Sequence, residues 1–359
     1  MIALTKALDR WFGRGEFSIT VPPLDGAFRA NDALEAAGVV LEVGAPDGLA
    51  VTSRGLLASC GRKLIGINDP AAPAASFDAE IGAVAGLPDG GAAVGLVDGR
   101  IVFLGGQHDG RTIAAHAEIR CITALAPAAD GALIVANGSA TYAAADWQRD
   151  LMAKRASGSV WRLAPDSGAW SRISGPLAFP YGLIDEGGAI VVSESWRCAL
   201  TRISPGGRVR PQTVVEALPA YPSRLSRGAD DAIWLALFAP RSQLVEFVLS
   251  ERRFRERMMA EIDPAFWVAP CLRSGQSALE PIQQGGVKQL GVLKPWSPSR
   301  SYGLIARLDG SYRPTASLHS RAHGHRHGVT SCLEFEGRLY FTAKGDGVVA
   351  ALADNGATQ

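Results

Sequence analysis

The stretch VTSCLEFEGRLYFTAKGDGVVAAL, residues 329–352, holds the pattern that predicts the fold. A short apolar run with a small or polar start is followed by a Glu-Gly turn and a second β-rich run. Glycine and aspartate between such runs are typical of tight hairpins. The stretch therefore predicts antiparallel strands that follow one another directly.

The same pattern occurs five more times along the chain. Its turns read PDGG, ADG, EGG and ADD, and most copies begin about 35–60 residues apart, near the length of a four-stranded propeller blade. Six copies predict an all-β protein, a six-bladed β-propeller. The other five copies begin at Asp47, Ile81, Ile122, Tyr181 and Ser223.

The domain prediction is an N-terminal extension over residues 1–37, with a short helical segment, and a propeller over 38–359. Closure is expected from pairing of the C-terminal GDGVVAALAD run with a strand near GVVLEVG, because a closed ring leaves no free sheet edge. The long interval before residue 329 predicts a small helical insertion at about 251–300. There Phe254, Met258 and Ile262 lie four residues apart, as on one apolar face of a helix.

The charge balance and the cysteine pattern of the chain bear on its partners and its location. The chain has 359 residues, 47% of them hydrophobic, and 36 basic side chains against 35 acidic ones, a net charge of +1. This balance argues against nucleic-acid or acidic-membrane binding, and no apolar run reaches the length of a spanning helix. The five cysteines form no CxxC pair, and the charged start MIALTKALDRWFGRGEF does not resemble a signal peptide, so a cytoplasmic location is expected.

Candidate site residues follow from the propeller geometry. The innermost strand of each blade begins near the central channel, so the first residues of each repeat should surround the channel mouth. The second strands should bring further side chains to the same place. The predicted ring consists of Asp47, Thr123, Tyr181, Ser223, Arg224 and Thr330, with Asn137 and Glu194 from second strands.

The segment HGHRHGVTSC, residues 323–332, places three histidines at alternate positions. A zinc site is conceivable, but the flanking glycines argue against a rigid chelating strand. His327 directly precedes the sixth inner strand and is predicted to face the channel as an acid, a base or a hydrogen-bond donor. A turn histidine with satisfied hydrogen bonds is the open alternative.

Several segments resemble the blade signatures of the strictosidine synthase-like family, which is related to the senescence-marker/gluconolactonase and paraoxonase six-bladed propellers. The similarity covers roughly residues 38–353, and FPYGL and YPSRL are its most specific pieces. The segments that carry it are APDGLAV, LAFPYGLIDEGGAIVVSES, ALPAYPSRLSRGADDAIWLALFAPR and SRAHGHRHGVTSCLEFEGRLYFTAKGDG.

The resemblance implies a metal site that this sequence departs from. Lactonase-type relatives hold a divalent cation in the channel with carboxylate and asparagine oxygens, and Asp47 stands where they usually have a glutamate. Tyr181 replaces a ligand asparagine, and Ser223 with Arg224 replaces an aspartate-asparagine pair. Calcium is therefore disfavoured, and no cofactor is predicted. Thr330 replaces the synthase's glutamate and cannot act as its base, which argues against strictosidine synthesis.

Two function classes remain. The first is a hydrolase of a small ester or lactone in the channel, with His327 or Asp47 activating water and Arg224 or Tyr181 stabilising the oxyanion. The second is a non-catalytic propeller that binds a small molecule, an anion being favoured by Arg224, or a protein partner. The predicted catalytic residues are His327, Asp47 and Tyr181. The residues predicted to bind substrate are Arg224, Ser223, Glu194, Asn137 and Thr330.

Overall fold

The computed structural model describes residues 21–206, 210–281, 288–289, 292–293 and 300–353. Six four-stranded antiparallel sheets form a six-bladed β-propeller, as predicted. Their innermost strands contact one another in a closed circle around the central channel. We call the end of the channel at which these strands begin its upper end, and the opposite end its lower end.

The strands of the first three blades run outward from the channel. They are β2 Pro46–Thr52, β3 Gly55–Cys60, β4 Lys63–Gly66 and β5 Pro73–Ser76 in blade one; β6 Ile81–Gly86, β7 Ala92–Leu96, β8 Ile101–Leu104 and β9 Thr112–Ile113 in blade two; β10 Ile122–Pro127, β11 Leu133–Asn137, β12 Gly158–Ala164 and β13 Ala169–Leu177 in blade three.

The other three blades follow the same order. They are β14 Pro180–Asp185, β15 Ile190–Glu194, β16 Ala199–Ile203 and β17 Gln212–Val215 in blade four; β18 Ala220–Arg227, β19 Ile233–Pro240, β22 Leu304–Leu308 and β23 Pro314–His319 in blade five; β24 Val329–Phe335, β25 Arg338–Ala343, β26 Val348–Ala353 and β1 Gly38–Glu42 in blade six.

Blade six closes the ring in the predicted way. Strand β1 pairs antiparallel with β26, with Gly38 opposite Ala351 and Glu42 opposite Val348. The N-terminal strand thus covers an edge that the C-terminal strand would otherwise expose. The predicted N-terminal helical segment falls largely on residues 1–20, outside the described residues, and Gly26–Phe28 forms a single 3-10 turn.

The apolar core lies between neighbouring blades, and near the axis the inner strands approach closely. A β-carbon at Gly82 would lie 2.5 Å from the Ile122 carbonyl oxygen, and one at Gly182 would lie 2.4 Å from the Ser223 carbonyl oxygen. Real β-carbons do not tolerate such distances, so these inner-strand positions require glycine.

Helices occur outside the blades. Helix α1 (Trp147–Ala153) connects β11 to β12, while α2 (Gln243–Ser250) and α3 (Arg252–Glu261) lie between β19 and β22, followed by the short hairpin β20 (Lys288–Gln289) and β21 (Val292–Leu293). The predicted apolar face of α3 is wrong in part. Met258 is buried, but Phe254 is 52% exposed and Ile262 lies beyond the helix and is 46% exposed. No helix in the described ranges is long and apolar enough to cross a membrane.

Candidate functional site

The upper end of the channel brings together five members of the predicted ring. Asp47 and Arg224 form an ion pair, with 2.6 Å between Asp47 Oδ2 and Arg224 Nη2. Thr123 accepts a hydrogen bond from Arg224 through its carbonyl oxygen, and Thr330 donates one of 2.8 Å to the Asp47 carbonyl. The Tyr181 ring lies 5.1 Å from the Arg224 guanidinium. Asp47, Thr123, Tyr181 and Thr330 are each the second residue of an inner strand, and Arg224 is the fifth residue of β18, so ring closure places them side by side.

The Arg224 guanidinium crosses the channel from blade five and contacts blades one, two and three. Besides Asp47 Oδ2, it donates to three backbone carbonyl oxygens: Asp47 at 2.8 Å, Gly82 at 2.9 Å and Thr123 at 3.1 Å. Backbone carbonyl and carboxylate oxygens are the ligands that a hard cation prefers. Arg224 therefore supplies a permanent positive charge to oxygens of the kind that a hard cation would bind.

Asp47 has a second cationic partner, Lys344, whose Nζ donates to Asp47 Oδ1 at 2.8 Å. Burial alone would raise the pKa of Asp47, but the charges and hydrogen bonds of Arg224 and Lys344 outweigh it and hold the pKa well below its ordinary value. The carboxylate is ionised at neutral pH, and both of its oxygens are engaged.

Lys344 was missed by sequence reasoning, although a signal for it existed. It follows β25 directly, at the upper end of the second strand of blade six. Asn137 and Glu194 end the second strands of blades three and four, and that position was the reason for predicting them. The same rule applied to YFTAKG would have selected Lys344, whose side chain is 32% exposed.

Tyr181 is the aromatic member of this group. Burial, followed by the Asp47 charge, raises its pKa to about 12, so the phenol is neutral and can donate a hydrogen bond. Within the described residues its hydroxyl has no hydrogen-bond partner. The Tyr181 ring contacts Phe179 edge to face at 5.8 Å, and Phe179 stacks on Trp196 at 4.5 Å. An aromatic wall thus adjoins the charged group.

Ser223 and Thr330 have their hydroxyls directed into the protein. Ser223 Oγ lies 3.0 Å from the Ala236 carbonyl oxygen and 3.2 Å from that of Val329. Thr330 Oγ1 reaches Asp47 and lies 3.0 Å from Thr342 Oγ1. Both residues are buried, so their contacts tie strands together, and a role in ligand binding stays a prediction.

Asn137 and Glu194 are fully buried within the propeller. Asn137 Oδ1 accepts from the Cys121 backbone N–H at 2.9 Å, and its Nδ2 donates to Ser159 Oγ and to a backbone carbonyl. Glu194 accepts from the Ala178 N–H at 2.8 Å and from Thr201 Oγ1 at 2.6 Å, and it also pairs with Arg197. The structure does not bring either side chain into contact with the Asp47–Arg224 group.

The structure also places His327 elsewhere than sequence reasoning expected. Its Nδ1 lies 2.8 Å from Ser301 Oγ, and its Nε2 lies 2.8 Å from the Arg321 carbonyl oxygen. The ring lines a side cavity rather than contacting Asp47. His323 and His325 are exposed, and in the described part of the chain no three His, Cys, Asp or Glu side chains are arranged to hold a metal ion.

The residues at the upper end do not fit the divalent cation implied by the resemblance. The carbonyl and carboxylate oxygens that would serve as ligands already accept hydrogen bonds from Arg224, and Lys344 adds a second positive charge. A divalent ion there would meet strong repulsion. The sequence argued against calcium through Tyr181, Ser223 and Arg224. The engaged oxygens and the charge of Lys344 are a second, geometric argument against it.

Below Arg224 the channel holds a cavity of about 570 Å³ that all six inner strands line. Its wall is largely aliphatic, with Arg224 at one end and the polar residues Asp185, Arg227 and Glu334 also lining it. Arg224 thus belongs both to the charged group at the upper end and to the wall of this lower cavity. The aliphatic members are Leu49, Val51, Val84, Leu125, Leu183, Leu225 and Leu333.

Comparison with known proteins supports the fold. No family model and no curated protein matches the sequence. Among solved structures, a gluconolactonase from Xanthomonas campestris is similar, with 15% identity and a TM-score of 0.53 over 90% of this chain and 93% of that chain. The calcium-binding protein regucalcin from Agrobacterium tumefaciens has 11% identity and a TM-score of 0.53 over 88% and 93%.

A luciferin-regenerating enzyme is similar to the same degree, with 11% identity and a TM-score of 0.52 over 90% of this chain and 94% of that chain. At these identities the likeness shows the architecture alone. The chain has the six-bladed propeller fold of gluconolactonase-like proteins, and the finer resemblance to the strictosidine synthase-like family stays a prediction.

Proposed function

We propose that this propeller binds a small organic carboxylate at the upper end of its channel, without a metal ion and without catalysis there. The observation that carries the proposal is the unequal charge of the buried group. Asp47 contributes −1, Arg224 and Lys344 contribute +1 each, and Tyr181 is neutral, which leaves a net +1. A partly buried excess charge is costly until a counter-ion pairs with it.

The excess charge is accessible at Lys344. Its Nζ gives one hydrogen bond to Asp47, so two of its three N–H donors are left for a ligand. The Tyr181 hydroxyl is a further donor nearby, and Lys344 and Tyr181 influence each other's titration. One carboxylate can accept from both groups, while the partly buried rings of Tyr181 and Trp196 offer apolar surface to the ligand's organic part.

Hydrolysis in the channel has weaker support. The two residues predicted to activate water were Asp47 and His327. Asp47 has both oxygens engaged and a pKa far below neutrality, so it is a poor proton acceptor. His327 has its ring nitrogens on Ser301 and Arg321. Arg224 was predicted to stabilise an oxyanion, but its guanidinium already donates hydrogen bonds to Asp47, Gly82 and Thr123.

The test is calorimetric titration of the full chain with benzoate, using benzamide as the neutral analogue of the same shape. We expect benzoate to bind and benzamide not to, and benzoate affinity to fall with added salt. Lys344→Gln should weaken benzoate binding about tenfold or more, whereas Lys63→Gln, an exposed lysine on β4, should not.

Two kinds of result would overturn the proposal, one from binding and one from catalysis. One is equal affinity of the Lys344→Gln and Lys63→Gln proteins for benzoate, or no heat of binding at all in the unmodified chain. The other is turnover of lactones or aryl esters that disappears in Asp47→Asn, because that would make the channel a catalytic site.

A further inference from the structure

The lower cavity of the channel lies apart from the groups that the proposed function uses. Its volume of about 570 Å³ falls in the range of roughly 300–1,000 Å³ that small-molecule sites have. Val51, Ala129 and Arg227 belong to its wall and are exposed, so the cavity is open to solvent where the inner strands end. Of the upper-end group, Arg224 is the member that also lines it. A second molecule can therefore enter from the opposite end of the channel.

Small side chains keep this part of the channel open. Ala50, Ala85, Ala124 and Ala126 line the cavity at inner-strand positions where larger residues would fill it. The larger lining side chains between them are leucines and valines, with buried Cys332 beside them. Cavities with such walls hold water poorly and take up apolar molecules. The wall thus favours an aliphatic ligand.

The inner strands also offer hydrogen-bonding groups to this cavity. In the sheets that the structure describes, each inner strand pairs with one neighbour, so its second edge faces the channel. A strand edge presents unpaired backbone N–H and C=O groups. At the upper end, Arg224 already uses three such carbonyl oxygens. Farther down, the strand edges can both donate to and accept from a ligand that carries a polar group.

The mouth of the cavity carries both signs of charge. Asp185 and Glu334 line it, and both oxygens of each carboxylate accept N–H groups of the protein. Arg227 lies at the same mouth and donates to the Asp185 carbonyl oxygen at 3.2 Å. A ligand group of either charge would meet a like charge there and would lose water on entering an aliphatic cavity. An uncharged polar group avoids both costs.

We propose that the lower cavity binds an uncharged aliphatic alcohol. Its alkyl chain packs against the leucine and valine side chains of the wall, and its hydroxyl bonds to backbone groups of the inner-strand edges. A hydroxyl suits these edges because it both donates and accepts a hydrogen bond. This site goes beyond the proposed function, since the carboxylate at the upper end and the alcohol at the lower end are bound by different groups.

The first test is calorimetric titration of the full chain with 1-butanol, 1-hexanol and 1-octanol. We expect each added methylene to strengthen binding about fourfold, because the chain is removed from water as it enters the cavity. Affinity that does not change from butanol to octanol would overturn the proposal, because the alkyl chain would then lie outside the apolar wall.

A tryptophan at the mouth tests the location of the site. Val51→Trp places a large ring at a lining position that is 39% exposed, and we expect it to abolish 1-octanol binding. Val39→Trp on β1, at a position 41% exposed outside the cavity, is the matched control and should bind 1-octanol like the unmodified chain. Melting temperatures check folding, and Ala129→Trp, at another exposed lining position, replaces Val51→Trp if that variant does not fold.

Charged analogues of the same length test the preference for a neutral group. Octanoate and octylammonium are titrated into Lys344→Gln, so that the upper end contributes little to octanoate binding. Each should bind about tenfold or more weakly than 1-octanol does to the same variant. Equal or tighter binding of either ion, or equal 1-octanol affinity of the folded Val51→Trp and Val39→Trp proteins, would overturn the proposal. Benzoate at Lys344 and 1-octanol at Val51 are separate measurements, so this proposal and the proposed function fail independently.

Discussion

Arg224 and Asp47, 177 residues apart in the chain, meet across the channel in a buried ion pair of 2.6 Å. Arg224 also donates to the Asp47 backbone carbonyl, so one side chain joins blade five to blade one at two points. The same guanidinium contacts the inner strands of blades two and three. Arg224 therefore links four blades.

Arg224→Met should destabilise the protein by about 3–5 kcal/mol, because it leaves the buried Asp47 carboxylate and three carbonyl oxygens without this partner. Arg202→Met is the matched control. Arg202 also pairs with a carboxylate, Glu186, and lies over a tyrosine ring, but its side chain is 33% exposed, so we expect a loss of about 1 kcal/mol or less. Urea unfolding measures both, and equal losses would contradict the buried-pair interpretation.

Buried His319 predicts a loss of stability on acidification. Its Nδ1 lies 3.1 Å from Tyr302 Oη and its Nε2 2.7 Å from Ser317 Oγ, and burial lowers its pKa from 6.5 to about 4. The unfolded chain binds the proton first, so stability falls as pH drops from about 6.5 to 4, by up to about 3 kcal/mol. His327, whose pKa is also lowered, adds to the same trend.

Unfolding free energies measured at pH 7 and pH 4.5 check this expectation. His319→Gln should reduce the difference between the two pH values, and His323→Gln, at an exposed position, should leave it unchanged. A pH dependence that is the same in His319→Gln and the unmodified chain would assign the acid sensitivity to other groups.

Arg224→Asn should create a calcium site. The substitution frees the carbonyl oxygens of Asp47, Gly82 and Thr123 and one carboxylate oxygen, and the new amide adds another oxygen. We expect calorimetry to show weak binding, with a Kd of about 10⁻⁴–10⁻³ M. Affinity should increase when Lys344→Gln also removes the repelling charge. No calcium binding by the double variant would show that Arg224 does not occupy a cation position.

Removal of residues 345–359 should unfold the propeller, because it deletes β26, which pairs with both β25 and β1. A milder test is Val349→Ala at a fully buried position of β26, for which we expect a loss of about 1–3 kcal/mol. Val39→Ala on β1, at a position 41% exposed, is the control and should change stability little. A truncated chain that melts like the full chain would refute closure by these strands.

The starts of the six inner strands and the strand that closes the ring were predictable because they depend on local patterns. Gly and Asp turns predict hairpins, and the short apolar runs between them predict strands, within a few residues of the chain. The same reasoning placed Asp47, Tyr181 and Arg224 at the channel, since each lies at or next to the predicted start of a repeat. It failed for α3, where spacing alone could not show that Phe254 faces solvent.

The partners of those side chains were decided only by the tertiary structure. Sequence alone could not show that Arg224 pairs with Asp47, that Lys344 adds a second charge, or that His327 joins Ser301 and Ser274 instead of the channel. Side-chain partners in a propeller come from blades far apart in the chain, and they meet only after all six sheets close around the axis. The pattern of residues determined the strands, and closure of the ring determined which charges and hydroxyls those strands bring together.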